Sequence, residues 1–148
     1  MKIEEFLSPD QEKNIADAIA QAELGTTGEI RVHIEKKCKS DPLHRAIEIF
    51  SDLKMHETRF SNAVIIYIAV DDHKLSIYGD SGINEVVDEN FWNEDISIMI
   101  EQFKRGHYEE GIVQVISRIG EKLKDYFPSD GDENPNEIDN SVSYGGDQ

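Results

Sequence analysis

The longest uninterrupted apolar stretch of the chain runs from Ala63 to Val70 and is rich in β-branched residues. It is far too short to cross a bilayer, and its pattern is typical of a strand that is covered on both faces of a sheet. Because both faces are covered only when helices pack on each side, the stretch predicts the central strand of an α/β domain.

Two further strands are predicted beside this one. The segment Gly28 to Glu35 alternates strictly between apolar and polar residues, which indicates a strand that is buried on one face. A short polar turn, residues 71–74, returns the chain as a third strand, Leu75 to Gly79, which is expected to form a hairpin with the central strand. Since a strand–helix–strand connection is right-handed and sets its two strands parallel, the sheet is predicted to be mixed.

Helical periods occupy most of the remaining sequence. Ser8 followed by Pro9, and Asp41 followed by Pro42, are typical of helix starts, and Gly106 is predicted to end a later helix. The predicted buried faces of the helices are Ile15, Ala18, Ile19 and Ala22; Leu43, Ala46, Ile47, Phe50 and Leu53; Ile96, Met99, Ile100 and Phe103; and Ile112, Val115, Ile116, Ile119 and Leu123. The element order α-β-α-β-β-α-α predicts a small α/β sandwich.

The charge of the chain is strongly negative, since 15 Lys and Arg stand against 31 Asp and Glu for a net charge of −16. Such a chain repels phosphate backbones and anionic lipid headgroups, which argues against nucleic acid and membranes as partners. Divalent cations or a basic protein fit the charge better. The excess is uneven, because residues 71–101 alone contain nine acids and one lysine.

The α/β domain is predicted to span residues 1–127, with an acidic tail at residues 128–148. The tail contains six acids, no Lys or Arg, and only three residues that could pack, namely Ile138, Val142 and Tyr144. Because so little apolar surface cannot offset the entropy lost on ordering, the tail is predicted to be disordered.

The compartment is indicated by two features of the sequence. Cys38 is the single cysteine, which excludes an intramolecular disulfide or a cysteine-based zinc site. The first residues show no apolar region of the signal-peptide kind. We therefore expect a soluble, cytoplasmic protein, and a monomer.

The predicted topology divides the acids between two edges of the sheet. Asp71 and Asp72 follow the central strand at its carboxyl end, where open α/β sheets usually bind ligands. The opposite edge is expected to bring together Glu29, Asn62, Gly79, Asp80 and Gly82. Asp88 could fold back to either edge. Clustered carboxylates suit Ca²⁺ or Mg²⁺, but acids are equally common as solvated turn residues, and spacing alone does not decide between the two.

Several short segments follow one another along the chain: Thr27–Ile30, Asn62–Tyr67, Val70–Lys74, Ile77–Ile83, Asp88 and Phe103–Gly111. Their order and spacing resemble the TPM domain family, which includes thylakoid-lumen proteins of photosystem repair and small bacterial proteins. The resemblance covers residues 5–127 and implies a Rossmann-like α/β/α sandwich, calcium as a ligand, and acid phosphatase activity as reported for a plant member. One departure is His73, which stands where the family often has Arg.

Our leading hypothesis is a TPM-domain protein that binds Ca²⁺, or Mg²⁺, at one site or two. The candidate ligands are Glu29, Asp71, Asp72, Asp80 and Asp88. A first alternative is a metal-assisted acid phosphatase in which an Asp acts as nucleophile or general base. A second alternative is a non-catalytic interaction module whose acidic tail recruits a basic protein. Binding is favoured over catalysis because the sequence shows no activated nucleophile–base pair.

Overall fold

The computed structural model describes residues 2–129 and 138–145 of the chain. In chain order, the regular elements are α1 (Pro9–Ala22), β1 (Glu29–Glu35), α2 (Pro42–Asp52), β2 (Ala63–Ala69), β3 (Lys74–Gly79), α3 (Ser81–Asn84), α4 (Asn93–Lys104), α5 (Tyr108–Tyr126) and β4 (Ser143–Gly145). Short 3₁₀ turns lie at Ile3–Glu5 and Met55–Glu57.

The strands form one four-stranded sheet in the order β3-β2-β1-β4. Strand β1 pairs in parallel with β2, with Glu29 opposite Ala63 and Glu35 opposite Ala69. Strands β2 and β3 form the predicted antiparallel hairpin. The mixed sheet and the interior position of β2 are therefore confirmed.

Helices cover both faces of the sheet and give it the predicted three-layer α/β/α architecture. Helices α1, α4 and α5 pack on one face, against the apolar side chains that β1 and β2 direct towards them: Ile30, Val32, Ile34, Val64, Ile66 and Ile68. Helix α2 packs on the other face, against Ala63, Ile65, Tyr67 and Ala69 of β2. Every residue of β2 is buried, as expected for a strand covered on both sides.

The helix boundaries follow the signals read from the sequence. The Ser8 hydroxyl accepts a hydrogen bond from the Gln11 amide at 3.1 Å, and the Gln11 side chain accepts one from the Ser8 amide at 2.9 Å. This reciprocal pair satisfies two amides that the first turn of α1 leaves without a helical partner. Asp41 Oδ2 caps α2 by accepting hydrogen bonds from the Leu43 and His44 amides at 3.0 and 3.1 Å, and Gly106, with a φ of 78°, follows the end of α4 in the left-handed region.

The predicted buried face of α2 is too wide. Ala46 and Phe50 are buried together with Ile49, whereas Leu43, Ile47 and Leu53 are exposed. Helix α2 shares its face of the sheet with the short turn at Met55–Glu57, so only the narrow stripe directly above the strands is covered. The predicted faces of α1 and α5 are buried or half-buried, but that of α4 is also too wide, because Ile100 is 40% exposed.

A fully buried carboxylate joins α4 to α5. Asp95 accepts hydrogen bonds from Arg118 Nε at 2.7 Å and from Lys122 Nζ at 2.6 Å. The Lys122 ammonium also lies 4.4 Å from the centre of the Phe91 ring. Because one acid is shared by two cations, its burial is compensated, and α4 is held at a fixed position on α5.

The prediction of a disordered tail is wrong for residues 138–145. Ser143–Gly145 form β4, which pairs in parallel with His33–Glu35 at the edge of the sheet, and Ile138 is 8% exposed. Strand β4 pairs with the free side of β1, whose backbone groups and polar side chains form hydrogen bonds with the segment. The prediction considered only the composition of the tail and so did not include these hydrogen bonds. Residues 130–137 and 146–148, on which the same prediction falls, lie outside the described part of the chain.

Within residues 2–129 and 138–145, no helix is both long enough and apolar enough to span a membrane.

Candidate functional site

The amino-terminal edge of the parallel strands gathers three of the predicted polar residues. Glu29 begins β1 opposite Ala63, and the Asp80 amide donates a hydrogen bond to the Ala63 carbonyl at 3.0 Å. Glu29 and Asp80 therefore flank the first residue of β2 from its two sides, and Asn62 directly precedes it. The expectation that these residues share an edge of the sheet is confirmed.

Two oxygens at this edge are buried without a hydrogen-bond partner among the described residues, namely Asn62 Oδ1 and Asp80 Oδ2. The remaining polar atoms of both side chains are engaged: Asn62 Nδ2 donates to Thr27 Oγ1 at 3.0 Å, and Asp80 Oδ1 accepts from the Ser81 amide at 2.7 Å. Asn62 is 0% exposed and Asp80 is 7% exposed. An unsatisfied buried acceptor costs about 1–3 kcal/mol, so this pair indicates a place where a donor or a cation binds.

The loop that leads into Asn62 approaches Gly82 through two backbone carbonyls. The Gly82 amide donates to the Ser61 carbonyl at 2.9 Å, and a Cβ atom on Gly82 would lie 2.5 Å from that oxygen and 2.9 Å from the Phe60 carbonyl oxygen. Ser61 itself has a φ of 50°, which a non-glycine residue seldom adopts. Glycine is thus required at position 82 for the loop before β2 to approach α3. This end of the sheet therefore holds a carboxylate, an amide and the carbonyls of the loop that precedes β2.

Glu29 is fully buried and already engaged. Its Oε1 accepts a hydrogen bond from the Ile138 amide at 2.7 Å, so the carboxylate holds the segment that leads into β4. A second buried acid, Glu23, accepts a hydrogen bond from the Ile30 amide at 2.9 Å. Burial raises the pKa of Glu23 to about 7, and the charge of Glu29 acts in the same direction, whereas the Ile30 hydrogen bond opposes it.

Asp71 and Asp72 lie at the opposite edge, away from Asp80. Asp72 Oδ2 accepts a hydrogen bond from the Cys38 amide at 2.7 Å, and the Asp71 amide donates to the Lys36 carbonyl at 2.7 Å. Both side chains are exposed. The paired aspartates therefore fasten the turn after β2 to the loop after β1.

Asp88 lies at a third place, in the loop between α3 and α4. Its Oδ1 accepts a hydrogen bond from the Asn90 amide at 2.8 Å, which is the geometry of a local turn. The residue lines a cleft of about 300 Å³ that also contains Gly79 and Trp92. The five predicted ligands are thus distributed over three places, and the described residues contain no group of three or more His, Cys, Asp or Glu that could hold a metal.

Sequence reasoning missed a buried polar network beneath α2. The Glu35 carboxylate is 1% exposed and accepts hydrogen bonds from Arg45 at 2.6 and 3.0 Å and from the Tyr67 hydroxyl at 2.5 Å. His33 lies 3.5 Å from the same carboxylate through Nε2, and its Nδ1 is 2.7 Å from Ser143 Oγ of β4.

The ionisation of this network is set by burial and by its mutual contacts. Burial opposes the charge on Glu35, but the hydrogen bonds from Arg45 and Tyr67 outweigh burial and lower the pKa of Glu35. Burial lowers the pKa of His33 and raises the pKa of Tyr67. The sequence did contain one signal for this network. Strand β1 lies beside β2, which is buried on both faces, so the helix that covers β2 must also cover the polar face of β1.

The mixed sheet with helices on both faces defines the class of this domain, an α/β/α sandwich. A family model that describes the TPM domain matches residues 2–122, and the chain therefore belongs to the TPM-domain family. A search of curated proteins found no match.

Solved structures show the same fold. The NMR structure of the BA42 protein from the psychrophilic bacterium Bizionia argentinensis is 46% identical, with a TM-score of 0.87, and the match covers 97% of this chain and 99% of that one. The N-terminal domain of a P. gingivalis protein is 15% identical (TM-score 0.68; 82% and 78% covered). That of the cg2496 protein from Corynebacterium glutamicum is 13% identical (TM-score 0.63; 80% and 75% covered). These two likenesses concern the fold alone.

Proposed function

We propose that this TPM-domain protein binds Ca²⁺ at the amino-terminal edge of its parallel strands. The observation that carries the proposal is the pair of buried, unpartnered acceptor oxygens, Asn62 Oδ1 and Asp80 Oδ2. A cation bound by both oxygens would compensate the free-energy cost of burying two acceptors without hydrogen bonds. A single hydrogen-bond donor would compensate one of them, and an apolar group neither.

The donor set favours a hard cation. Asp80, Asn62 and the backbone carbonyls of the preceding loop offer oxygen only, and oxygen ligands suit Ca²⁺ and Mg²⁺ rather than zinc or copper. Ca²⁺ is favoured over Mg²⁺ because it accepts an irregular set of six to eight oxygens, whereas Mg²⁺ requires near-octahedral geometry. A site with one carboxylate and an amide also agrees with the lack of a cluster of three acidic, His or Cys side chains among the described residues.

The other predicted ligands have different roles in this proposal. Glu29 adds negative charge beside the site, and its carboxylate supports the segment at Ile138. Asp71, Asp72 and Asp88 are surface residues of turns, and a second, weaker cation site at any of them is the alternative. Binding is favoured over catalysis because the sequence shows no activated nucleophile–base pair. We also propose a cytoplasmic location, for which the single cysteine is the supporting feature.

A calcium titration followed by amide NMR shifts at fixed ionic strength tests the proposal. We expect localised shifts at residues 61–63 and 79–83, with loss of at least tenfold in affinity for Asp80→Asn. Asp88→Asn is the matched control, since it removes the same charge from a neighbouring turn, and it should bind like the wild type. Shifts that centre on residues 71–74 or 88–90, or that spread uniformly over the acidic surface, would contradict the assignment to this edge.

A further inference from the structure

A second cleft lies at the carboxyl-terminal edge of the parallel strands, on the face covered by α4 and α5. Its volume is about 420 Å³, within the range of small-molecule sites in proteins. Its lining includes Phe6, His73, Leu75, Phe103, Lys104 and Tyr108. The cleft is remote from Asp80 and Asn62, which lie at the other edge of the sheet.

The chemistry of this lining departs from that of the chain as a whole. The walls are apolar, and the polar side chains among them are His73, Lys104 and Tyr108, with no acid. This is unexpected in a protein with about twice as many acids as bases. Within residues 2–129 and 138–145, the Lys104 ammonium and the Tyr108 hydroxyl have no hydrogen bond or ion pair. A cation and a donor therefore border an apolar cavity.

The turn after β2 positions His73 at this cleft. His73 has a φ of 54°, in the left-handed region that non-glycine residues seldom adopt. Both of its neighbours are fastened to the loop after β1: Asp72 Oδ2 accepts from the Cys38 amide at 2.7 Å, and Lys74 Nζ donates to the Cys38 carbonyl at 3.0 Å. These contacts fix the strained turn and leave the histidine as the one member of the turn that lines the cleft.

We infer that this cleft binds a small amphiphilic anion, with a carboxylate or phosphate head at Lys104 and an aliphatic or aromatic tail between Phe6, Leu75 and Phe103. Open α/β sheets bind ligands beyond the carboxyl ends of their strands, which is where the cleft lies. The tail is needed because the net charge of the chain repels anions, so burial of apolar surface must provide most of the affinity. The inference does not depend on calcium binding.

NMR titrations with octanoate and octyl phosphate, in EDTA and below their micelle concentrations, test the inference. We expect localised shifts at residues 68–75 and 100–108 and an affinity that rises about three- to fourfold per methylene from hexanoate to octanoate. Octan-1-ol and inorganic phosphate should bind at least tenfold more weakly, because each lacks one half of the ligand. Tighter binding of octyl phosphate identifies a phosphate head, and tighter binding of octanoate identifies a carboxylate.

Lys104→Gln separates a built site from adventitious apolar binding. The side chain is exposed, so the variant should fold normally, and we expect it to weaken octanoate about tenfold while leaving octan-1-ol unchanged. Arg105→Gln is the matched control, since this neighbouring cation pairs with Glu101 and does not line the cleft. Shifts outside the cleft, equal affinity for octanoate and octan-1-ol, or an unchanged affinity in Lys104→Gln would each overturn the inference.

Discussion

The backbone amide of Ile138 donates a 2.7 Å hydrogen bond to the fully buried carboxylate of Glu29, although 109 positions separate the two residues in the chain. Close by, Arg31 Nη1 lies 3.4 Å from the Asp139 carbonyl oxygen, and His33 Nδ1 is hydrogen-bonded to Ser143 Oγ at 2.7 Å. Residues 138–145 are therefore held on the polar face of β1 by hydrogen bonds. These contacts connect the C-terminal segment to the edge of the sheet that we propose as a calcium site.

Ile138→Ala should release this segment. Removal of a buried isoleucine side chain costs about 2–5 kcal/mol in an ordinary core, but here the loss cannot exceed the free energy that docks the segment. We expect a destabilisation of about 2 kcal/mol in urea unfolding and faster hydrogen exchange at Ser143–Gly145, with the amides of β2 still protected. Val86→Ala, which shortens an aliphatic side chain that is 53% exposed and lies outside this segment, is the control and should change neither quantity.

Glu23→Gln should change how stability depends on pH. The pKa of Glu23 is raised to about 7 in the folded protein, so the folded state binds more protons than the unfolded state between pH 4.5 and 7. Stability is then expected to fall as the pH rises through that window. Glutamine keeps an acceptor for the Ile30 amide without the charge, so the gain at pH 8 should be up to about 3 kcal/mol, with almost none at pH 4.

Urea unfolding of both proteins at several pH values measures this difference. Glu121→Gln, an exposed acid on α5, should leave the pH dependence of the wild type unchanged. A stability difference between the two proteins that does not change between pH 4.5 and 7 would show that the pKa of Glu23 is not raised in the folded protein.

Arg45→Gln should destabilise the protein by about 2–4 kcal/mol at pH 7, because Glu35 stays buried after its main partner is removed. The pKa of Glu35 is lowered in the folded state, so its contribution is present above the ordinary carboxyl pKa and is lost as the pH falls through the lowered value. The difference between the two proteins should therefore shrink towards pH 3. Arg105→Gln breaks an exposed ion pair and should cost less than about 0.5 kcal/mol.

Gly82→Ala should weaken calcium binding without removal of any carboxylate. The new Cβ atom would lie 2.5 Å from the Ser61 carbonyl oxygen, so the loop before β2 must move away from α3. We expect at least a tenfold loss in calcium affinity by NMR titration and a destabilisation of about 1–3 kcal/mol. Gly106→Ala has no atom within 4 Å of its Cβ and should cost about 1 kcal/mol through its positive φ, with normal calcium affinity.

The fold was largely predictable because its signals are local. Ser8 with Gln11 defines the start of α1, and the apolar run of β2 identifies a strand with helices on both sides. The shared edge of Glu29 and Asp80 follows from strand direction alone. The hydrogen bonds of Asp72 and Asp88 to nearby amides depend on loop conformation, which sequence spacing does not specify. The sequence therefore could not exclude these two acids as ligands of the same site.

The C-terminal strand and the network at Glu35 escaped prediction for a different physical reason. Residues 138–145 have few apolar side chains, and their ordering depends on hydrogen bonds to an edge more than a hundred residues away. Glu35 looks like a solvent-facing residue of an alternating strand, and only the cover of α2 places it with Arg45 and Tyr67. Contacts between residues distant in sequence leave no periodic signal.

The short parallel strand β4 covers a side of β1 that would otherwise be an open sheet edge. It pairs with His33–Glu35, while the bonds from Ile138 and Arg31 occupy the neighbouring stretch of β1. Without residues 138–145, one side of a seven-residue strand would present a row of unpaired amide and carbonyl groups, which is a template for a strand from another molecule. Residues 138–145 therefore cover this side of β1 and leave the three-residue strand β4 at the edge of the described sheet.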